Sequence, residues 1–329
     1  MNEREFRRYT AALRSLLNKR IATLFRSKNP RELHKAGRYV LASGGKRIRS
    51  ILLLLAAESV RGRVGDALDA GVAVELMHNF TLIHDDDMDH AKTRRGRPTV
   101  NVRWDLNQAI LVGDVMVGFA YDILLRAPRE NAQQISRLFT KGLINVCEGQ
   151  ALDLTLGSTR HATVKDYVEM IDKKTGSLIV LSSELGGVVG GGTAKQVRAL
   201  REYGRYLGRA FQLQDDLLDV VADEKRLGKA IGGDIMEGKR TFLYITTMER
   251  ASNRDRRFLT KAFNHQSVQG RALVHKVQSL YHKYESIEKT RAMIEQYTAK
   301  ALVKLHDLPP SRSRDMLHHL ARALASRHA

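Results

Sequence analysis

The sequence is short of several things, and each shortage narrows what it can be. A single cysteine, Cys147, in 329 residues rules out an internal disulfide framework and fits a reducing compartment. Only five prolines, alongside 43% apolar residues, describe a globular chain able to bury a large core. The longest uninterrupted apolar run, Ile51 to Ala57, is too short to span a bilayer. No targeting peptide is visible, because the N-terminus is charged from its first residues. Strand-like alternation is almost absent. The expectation is a cytoplasmic protein without a transmembrane segment.

Positive charge, in contrast, is in excess. The net charge is +19, unevenly placed: residues 1–63 hold 16 Lys/Arg against 4 Asp/Glu, and residues 250–329 hold 16 against 6. The middle of the chain carries −3. Basic flanks are compatible with a nucleic-acid or anionic-membrane surface. Here the cations are interspersed with Ala, Leu and Val at helical spacing, as solvated helix faces require. No zinc-finger or stacking-aromatic signature accompanies them, so no nucleic-acid partner is expected.

Apolar periodicity predicts helices over approximately 2–26, 31–43, 47–60, 65–90, 105–126, 131–157, 164–190, 194–222, 240–250 and 270–306. Breaks fall at Asn29-Pro30, Ser43-Gly44-Gly45, Gly96-Arg97-Pro98, Pro128, Gly186 to Gly192, Gly228 to Gly238 and Pro309-Pro310. None is long enough to separate domains. The expectation is one all-α domain over residues 1–329, with 309–329 forming a short terminal helix or a tail. The Gly186–Gly192 segment lacks a preceding strand, so it reads as a helix terminus and turn rather than a dinucleotide fingerprint.

Two aspartate clusters sit in the acidic middle. Asp85-Asp86-Asp87-Met88-Asp89 and Asp215-Asp216-Leu217-Leu218-Asp219 both spell Asp-Asp-x-x-Asp and lie 130 residues apart. On a helix the first and last carboxylates of each cluster share a face. Carboxylates crowded on one turn repel one another, and a hard divalent cation removes the repulsion. Mg²⁺ takes one or two carboxylates per site and completes its shell with waters and substrate phosphates. Two such clusters facing each other would hold Mg²⁺ around a diphosphate.

Cations stand beside the first cluster. Arg94-Arg95-Gly96-Arg97 follows Asp89 closely, and Gly44-Gly45-Lys46-Arg47-Ile48-Arg49 puts Lys46 and Arg49 one helical turn apart after two glycines. Backbone N–H groups at a helix start together with Lys and Arg form an anion site. His78 precedes Asp85 by two turns on the same face, and Gln212 precedes Asp215 by one. Lys229 and Lys239 flank a glycine-containing run able to close over a phosphate.

From Gly44 to about Arg240 the chain resembles the trans-isoprenyl diphosphate synthases, the short-chain polyprenyl synthetases, with motifs in the family's order. The matching segments are Gly44–Arg49, Glu75–Asp89, Arg94–Asn101, Gly149–Asp153, Lys174-Thr175-Gly176, Phe211–Asp219 and Gly228-Lys229 through Thr241. The resemblance implies an isoprenoid synthase-like helical bundle around a central apolar cavity, acting as a homodimer. It implies that Lys46, Arg49, His78 and Arg95 bind the diphosphate of isopentenyl diphosphate. Asp85, Asp89 and Asp215 would be the principal Mg²⁺ ligands, supported by Asp86 and Asp219, with on the order of three ions per site. Arg94, Lys174, Lys229 and Lys239 would hold an allylic diphosphate (dimethylallyl, geranyl or farnesyl). Lys174, Thr175 and Gln212 would be the catalytic group, with Thr175 and Gln212 lining the site of the nascent cation. One departure is that many relatives place a proline shortly after the Gly-Lys-Arg-Thr run, where this chain has Thr241-Phe242-Leu243-Tyr244.

The reaction implied is ionisation of the allylic diphosphate, attack on the cation by the isopentenyl double bond, and loss of a proton, with the departing diphosphate as base. It needs no protein nucleophile, and the chain offers no convincing Ser/His/Asp or Cys/His set. In similar enzymes a bulky aromatic five residues before the first aspartate limits product length. Phe80 followed by the non-aromatic Thr81 looks more like geranylgeranyl (C20) producers than farnesyl (C15) enzymes. Farnesyl or longer-chain (C25 or more) synthases are the nearest alternatives. A terpene cyclase has no use for the isopentenyl anchors, and a non-catalytic partner subunit has no need of two complete aspartate clusters.

Overall fold

The computed structural model describes residues 3–27, 29–126, 129–159, 161–221, 231–264, 266 and 270–326. Among these the chain is almost entirely helical, and it groups into two compact units.

The first unit gathers Met1–Leu143, Leu178–Arg201 and Leu305–Leu317. Its opening helices are α1 (Glu3–Ile21), α2 (Arg31–Leu41), α3 (Ile48–Ser59) and α4 (Val64–Met88). The run Ile51–Ala57 lies in α3 and is buried all round, as a helix that is apolar on every face must be. α3 and α4 pack together, and α4 packs along α6 (Leu106–Leu124). A strand pair of two residues each, β1 (Thr93–Arg94) and β2 (Arg97–Pro98), follows α4, then the single turn α5 (Val100–Arg103). The turn residues Arg95 and Gly96 both have left-handed φ, 53° and 71°.

The helix α7 (Arg129–Ser158) precedes α8 (Val164–Ile171), α9 (Ser177–Val189) and α10 (Ala194–Val221). The glycines near the end of α9 do close a helix, and they also serve packing. A Cβ on Gly186 would sit 2.3 Å from the Leu53 carbonyl, and one on Gly190 2.6 Å from the Ala57 carbonyl. Only residues without side chains admit that approach to the α3 backbone.

The second unit comprises Ile144–Ser177, Glu202–Lys304 and His318–Ala329. Its later helices are α11 (Gly233–Met236), α12 (Phe242–Arg250), α13 (Asn253–Phe263), α14 (Arg271–Lys283) and α15 (Ser286–Lys304), and α16 (Arg312–Ala325) ends the chain. Tyr167, Phe242, Leu243, Val277, Tyr281 and Ile287 lie at the centre of its core.

Four expectations need correction. The first helix stops at Ile21 rather than residue 26, and Phe25 turns back with φ 54° to pack edge-on against Phe119 and His34. The span 164–190 is interrupted by a π-helical turn over Asp172–Gly176. The span 270–306 is two helices, parted at Glu285 with φ 57°, where no glycine or proline marks the break. α13 was not anticipated, because only Leu259, Ala262 and Phe263 of its mostly polar sequence are buried. Its start is set by Ser252, whose hydroxyl accepts the Asp255 N–H. Of the two alternatives for the C-terminal segment, the structure shows the helix, α16.

Candidate active site

The isopentenyl-binding candidates come together at the start of α3. Gly44 and Gly45 have φ of +76° and +130°, and Arg47, the residue before α3, is left-handed at 51°. Lys46 therefore precedes the helix instead of lying in its first turn, and Arg49 projects from the first turn. Arg95 reaches across from the β1–β2 turn and donates to the Gly44 carbonyl and, at 3.3 Å, to the Ser43 hydroxyl. Glycine suits the φ of position 45, and a Cβ there would push aside the Arg95 guanidinium, 2.9 Å away.

Arg49 donates to His78 Nε2 at 3.2 Å. A guanidinium only donates, so Nε2 must be the acceptor and Nδ1 must carry the proton. That Nδ1–H is buried with no hydrogen-bond partner among the described residues, an orphan donor suited to a phosphate oxygen. Burial, and then Arg49, Arg95, Arg94 and Arg47, hold the His78 pKa well below its usual 6.5. His78 is a neutral donor, not a cation. Below pH 6.5 the unfolded chain binds a proton that folded His78 refuses. Its contribution to stability is full above that pH and falls on acidification, by up to about 1.4 kcal/mol per pH unit. Urea unfolding at neutral and at acid pH is expected to show a shallower acid loss in His78→Gln than in wild type. Equal pH slopes would show that His78 titrates normally.

The first aspartate cluster occupies the last turn of α4. Asp85 is half-buried, Asp89 is exposed at the helix end, and Asp86 is buried. Asp86 Oδ1 accepts from Arg94 Nε at 2.6 Å. Burial pushes the Asp86 pKa up and Arg94 pulls it back. The carboxylate most closed off from solvent is thus tied to an arginine, while Asp85 and Asp89 face more open surroundings. A small cleft lined by Ser43, Asn79, Asp86, Arg94 and Arg95 joins this cluster to the α3 entrance.

The second unit holds the other group of candidates. Thr175 and Lys174 sit in the π turn, a widened geometry frequent at functional sites. Two glycines let neighbouring helices close on it: a Cβ on Gly149 of α7 would lie 2.1 Å from the Lys174 nitrogen, and one on Gly208 of α10 2.9 Å from Gly176 Cα. Thr175 Oγ1 donates to Gln212 Oε1 at 2.6 Å, Gln212 Nε2 donates to Asp216 Oδ1 at 2.7 Å, and Tyr167 donates to Asp216 Oδ2 at 2.7 Å. This chain of bonds uses both ends of the Gln212 amide and fixes its carbonyl towards Thr175. Burial, and then the neighbouring Asp234, push the Asp216 pKa well up.

Asp215 is exposed near the end of α10, and Asp219 is buried, with Oδ2 accepting the Asp234 N–H at 2.9 Å. Lys174 is paired with Asp153, and Lys239 with Asp234 and Glu237. Lys229 lies outside the described residues.

Among the described residues no three His, Cys, Asp or Glu side chains converge as a finished metal cage. The donors present are hard carboxylate oxygens spaced by one helical turn. That set suits an ion such as Mg²⁺, which keeps waters and binds substrate phosphates.

The polyprenyl synthetase family model matches residues 30–282. The chain belongs to the polyprenyl synthetase family. A short chain isoprenyl diphosphate synthase from Methanothermobacter thermautotrophicus is 38% identical over 293 residues, 89% of each chain. A geranylgeranyl diphosphate synthase from Methanosarcina mazei is 43% identical over 228 residues, 69% of this chain and 70% of the relative. The crystal structure of a geranylgeranyl pyrophosphate synthetase from Pyrococcus horikoshii superposes with a TM-score of 0.92 at 36% identity, covering 98% of this chain and all of that one. The fold is the all-α isoprenyl synthase fold, and the protein is a prenyltransferase.

Sequence reasoning missed several residues of this polyprenyl synthetase that hold the candidates in place. Arg47 and Glu75 form a salt bridge of 2.7 Å with both side chains 2% exposed. Ser50 donates to the same carboxylate at 2.8 Å, and Asn79 at 3.3 Å. Tyr167 left no signal in the sequence, because only the tertiary fold brings it to Asp216; Asp153 closes the matching Gly149–Asp153 segment, but its pairing with Lys174 is set by the fold.

Proposed function

We propose that this chain is a Mg²⁺-dependent geranylgeranyl diphosphate synthase that adds isopentenyl diphosphate to an allylic diphosphate to give the all-trans C20 product. What chiefly supports this is a diphosphate site distinct from the aspartates: Arg49, the orphan Nδ1–H of His78, and Arg95 folded over Gly44-Gly45, with Lys46 in the same loop. A lone substrate that ionises and rearranges needs no second anchor.

Asp85, Asp89 and Asp215 would hold Mg²⁺, with Asp86 and Asp219 in support, and Arg94, Lys174, Lys229 and Lys239 would take the allylic diphosphate. Mg²⁺, when bound, neutralises charge on the diphosphate oxygens. Releasing Arg94 from Asp86, or Lys174 from Asp153, onto a phosphate trades one charge-assisted bond for another. The Gln212 carbonyl, oriented by Asp216 and Thr175, presents a fixed dipole to a carbocation without forming a bond to it. Lys46, Arg49, His78 and Arg95 position the isopentenyl double bond for attack. Residues 1–329 would act as one domain in a cytoplasmic homodimer.

Purified protein with Mg²⁺, radiolabelled isopentenyl diphosphate and each of three primers (dimethylallyl, geranyl and farnesyl diphosphate) is expected to give C20 chains. Consumption of the primer without isopentenyl diphosphate would identify a cyclase, and no reaction with any primer a partner subunit. Product length tests Phe80. A chain growing along α4 from Asp85 meets Phe80 after about 7.5 Å of helix rise. Its half-buried ring stands edge-on to His84, with centroids 4.6 Å apart, while Thr81 is buried and bonded to the His78 carbonyl. Phe80→Ala is expected to shift products to C25 and beyond. An unchanged length distribution would remove Phe80 from that role.

A further inference from the structure

The proposed reaction leaves the basic C-terminal region without a role, and the structure sorts those charges. α13 and α14 together carry seven Lys/Arg and a single acid, Asp255. On α13, Arg254, Arg257 and Lys261 recur at helical spacing and are all exposed. On α14, Arg271, His275, Lys276 and His282 are likewise exposed. The two helices are in contact: the Lys276 ammonium lies 4.4 Å from the centre of the Phe258 ring, and Lys283 pairs with Asp255 at 2.7 Å. The one acid is thereby already neutralised, and the outer face is left strongly positive.

The inner faces are fully used. Leu259, Ala262 and Phe263 of α13 and Leu273, Val274, Val277, Leu280 and Tyr281 of α14 are buried. Neither helix has an apolar stripe to insert into a membrane, so contact through this face is electrostatic and superficial. α14 also supports the second aspartate cluster from behind. Gln278 donates to the Val220 carbonyl at 2.6 Å, and a Cβ on Gly232 would meet Val274 at 2.6 Å. Both Tyr281 and Phe263 are buried and Phe258 and Tyr284 half-buried, so the face offers no exposed aromatic on which single-stranded nucleic acid could stack.

We propose that the outer face of α13 and α14 is a docking surface for bilayers rich in anionic phospholipid. Among the described residues no helix is long and apolar enough to cross a membrane, and this face supplies a peripheral attachment instead. The proposal goes beyond the synthase assignment and leans on it in one respect: a C20 diphosphate is an amphiphile, and its producer gains from working against the bilayer that takes it up.

The experiment is sedimentation of the full chain with phosphatidylcholine vesicles, with and without phosphatidylglycerol, at low and high salt. Each Lys or Arg near an anionic surface strengthens partitioning about fivefold. Wild type is expected to sediment with phosphatidylglycerol vesicles at low salt only. Arg254→Gln/Arg257→Gln/Lys261→Gln is expected to partition about a hundredfold more weakly, with wild-type turnover on soluble substrates. Arg271→Gln/Lys276→Gln, an independent change on α14, is expected to weaken binding to a lesser degree. Equal retention on both vesicle types, or undiminished binding by both variants, would overturn the proposal. So would retention on duplex DNA at a salt concentration that releases the vesicles, lost in the same variants, which would make this a nucleic-acid surface. Vesicle binding without turnover would leave the surface standing and refute the synthase, and turnover without vesicle binding would do the reverse.

Discussion

Asp85→Ala is expected to lower turnover by at least ~10³-fold at saturating Mg²⁺ while leaving the melting temperature unchanged or slightly raised. Both halves of that result follow from where the residue sits. Asp85, Asp86, Asp87 and Asp89 crowd the C-terminal end of α4, where the helix dipole is negative and each added anion costs about 0.3–1 kcal/mol. The second cluster likewise crowds carboxylates on successive turns of α10. Carboxylates crowded in this way repel one another unless a cation binds them, so their removal relieves repulsion as it removes metal affinity. Asp215→Ala is expected to behave alike. Asp86→Ala differs, because it strips Arg94 of its partner and is expected to cost stability. Steady-state kinetics beside thermal melts check all three. Wild-type turnover in Asp85→Ala or Asp215→Ala would refute the metal assignment.

Glu75→Ala is expected to destabilise the fold by roughly 3–5 kcal/mol, the usual cost of leaving one member of a buried ion pair alone. Arg47 would keep its bonds to the Leu41 carbonyl and Asn18 but lose its counter-charge, and Ser50 and Asn79 would lose an acceptor. The pair also sets the direction of the chain into α3, from which Arg49 projects. A raised KM for isopentenyl diphosphate is therefore expected in Glu75→Gln, which keeps the shape and loses the charge. Urea midpoints with an unchanged m-value measure the first effect, and initial rates at varied substrate the second. A loss under about 1 kcal/mol would mean that Arg47 finds another acceptor.

Much of this was legible in the residues. Periodicity located α2, α3, α4, α6, α7, α10 and α12 because each buries a face wide enough to leave a regular trace. It failed at α13, where three buried side chains cannot outweigh seven polar or charged neighbours. It failed again at Glu285, where a non-glycine residue turns left-handed under the constraint of packing. The π turn at Asp172–Gly176 was invisible for a related reason: the glycines that pack against it, Gly149 and Gly208, come from other helices. The candidate site divides in the same way. The two aspartate clusters could be picked out because their internal repulsion suggests a cation, and the resemblance put Asp85, Asp89 and Asp215 first within them, whereas the partners of Arg94, Lys174 and Gln212 could not be named.

The order of residues alone determined an all-helical chain of the polyprenyl synthetase family, with two carboxylate clusters and two cationic loops. Those traits depend on spacing along one helix or within one loop, and spacing is written in the chain. Tertiary structure decided which cation is buried and which is presented, which tautomer His78 adopts, and which way the Gln212 amide points. Each of these depends on a group distant in sequence arriving within hydrogen-bonding reach, where burial multiplies the effect of a single charge.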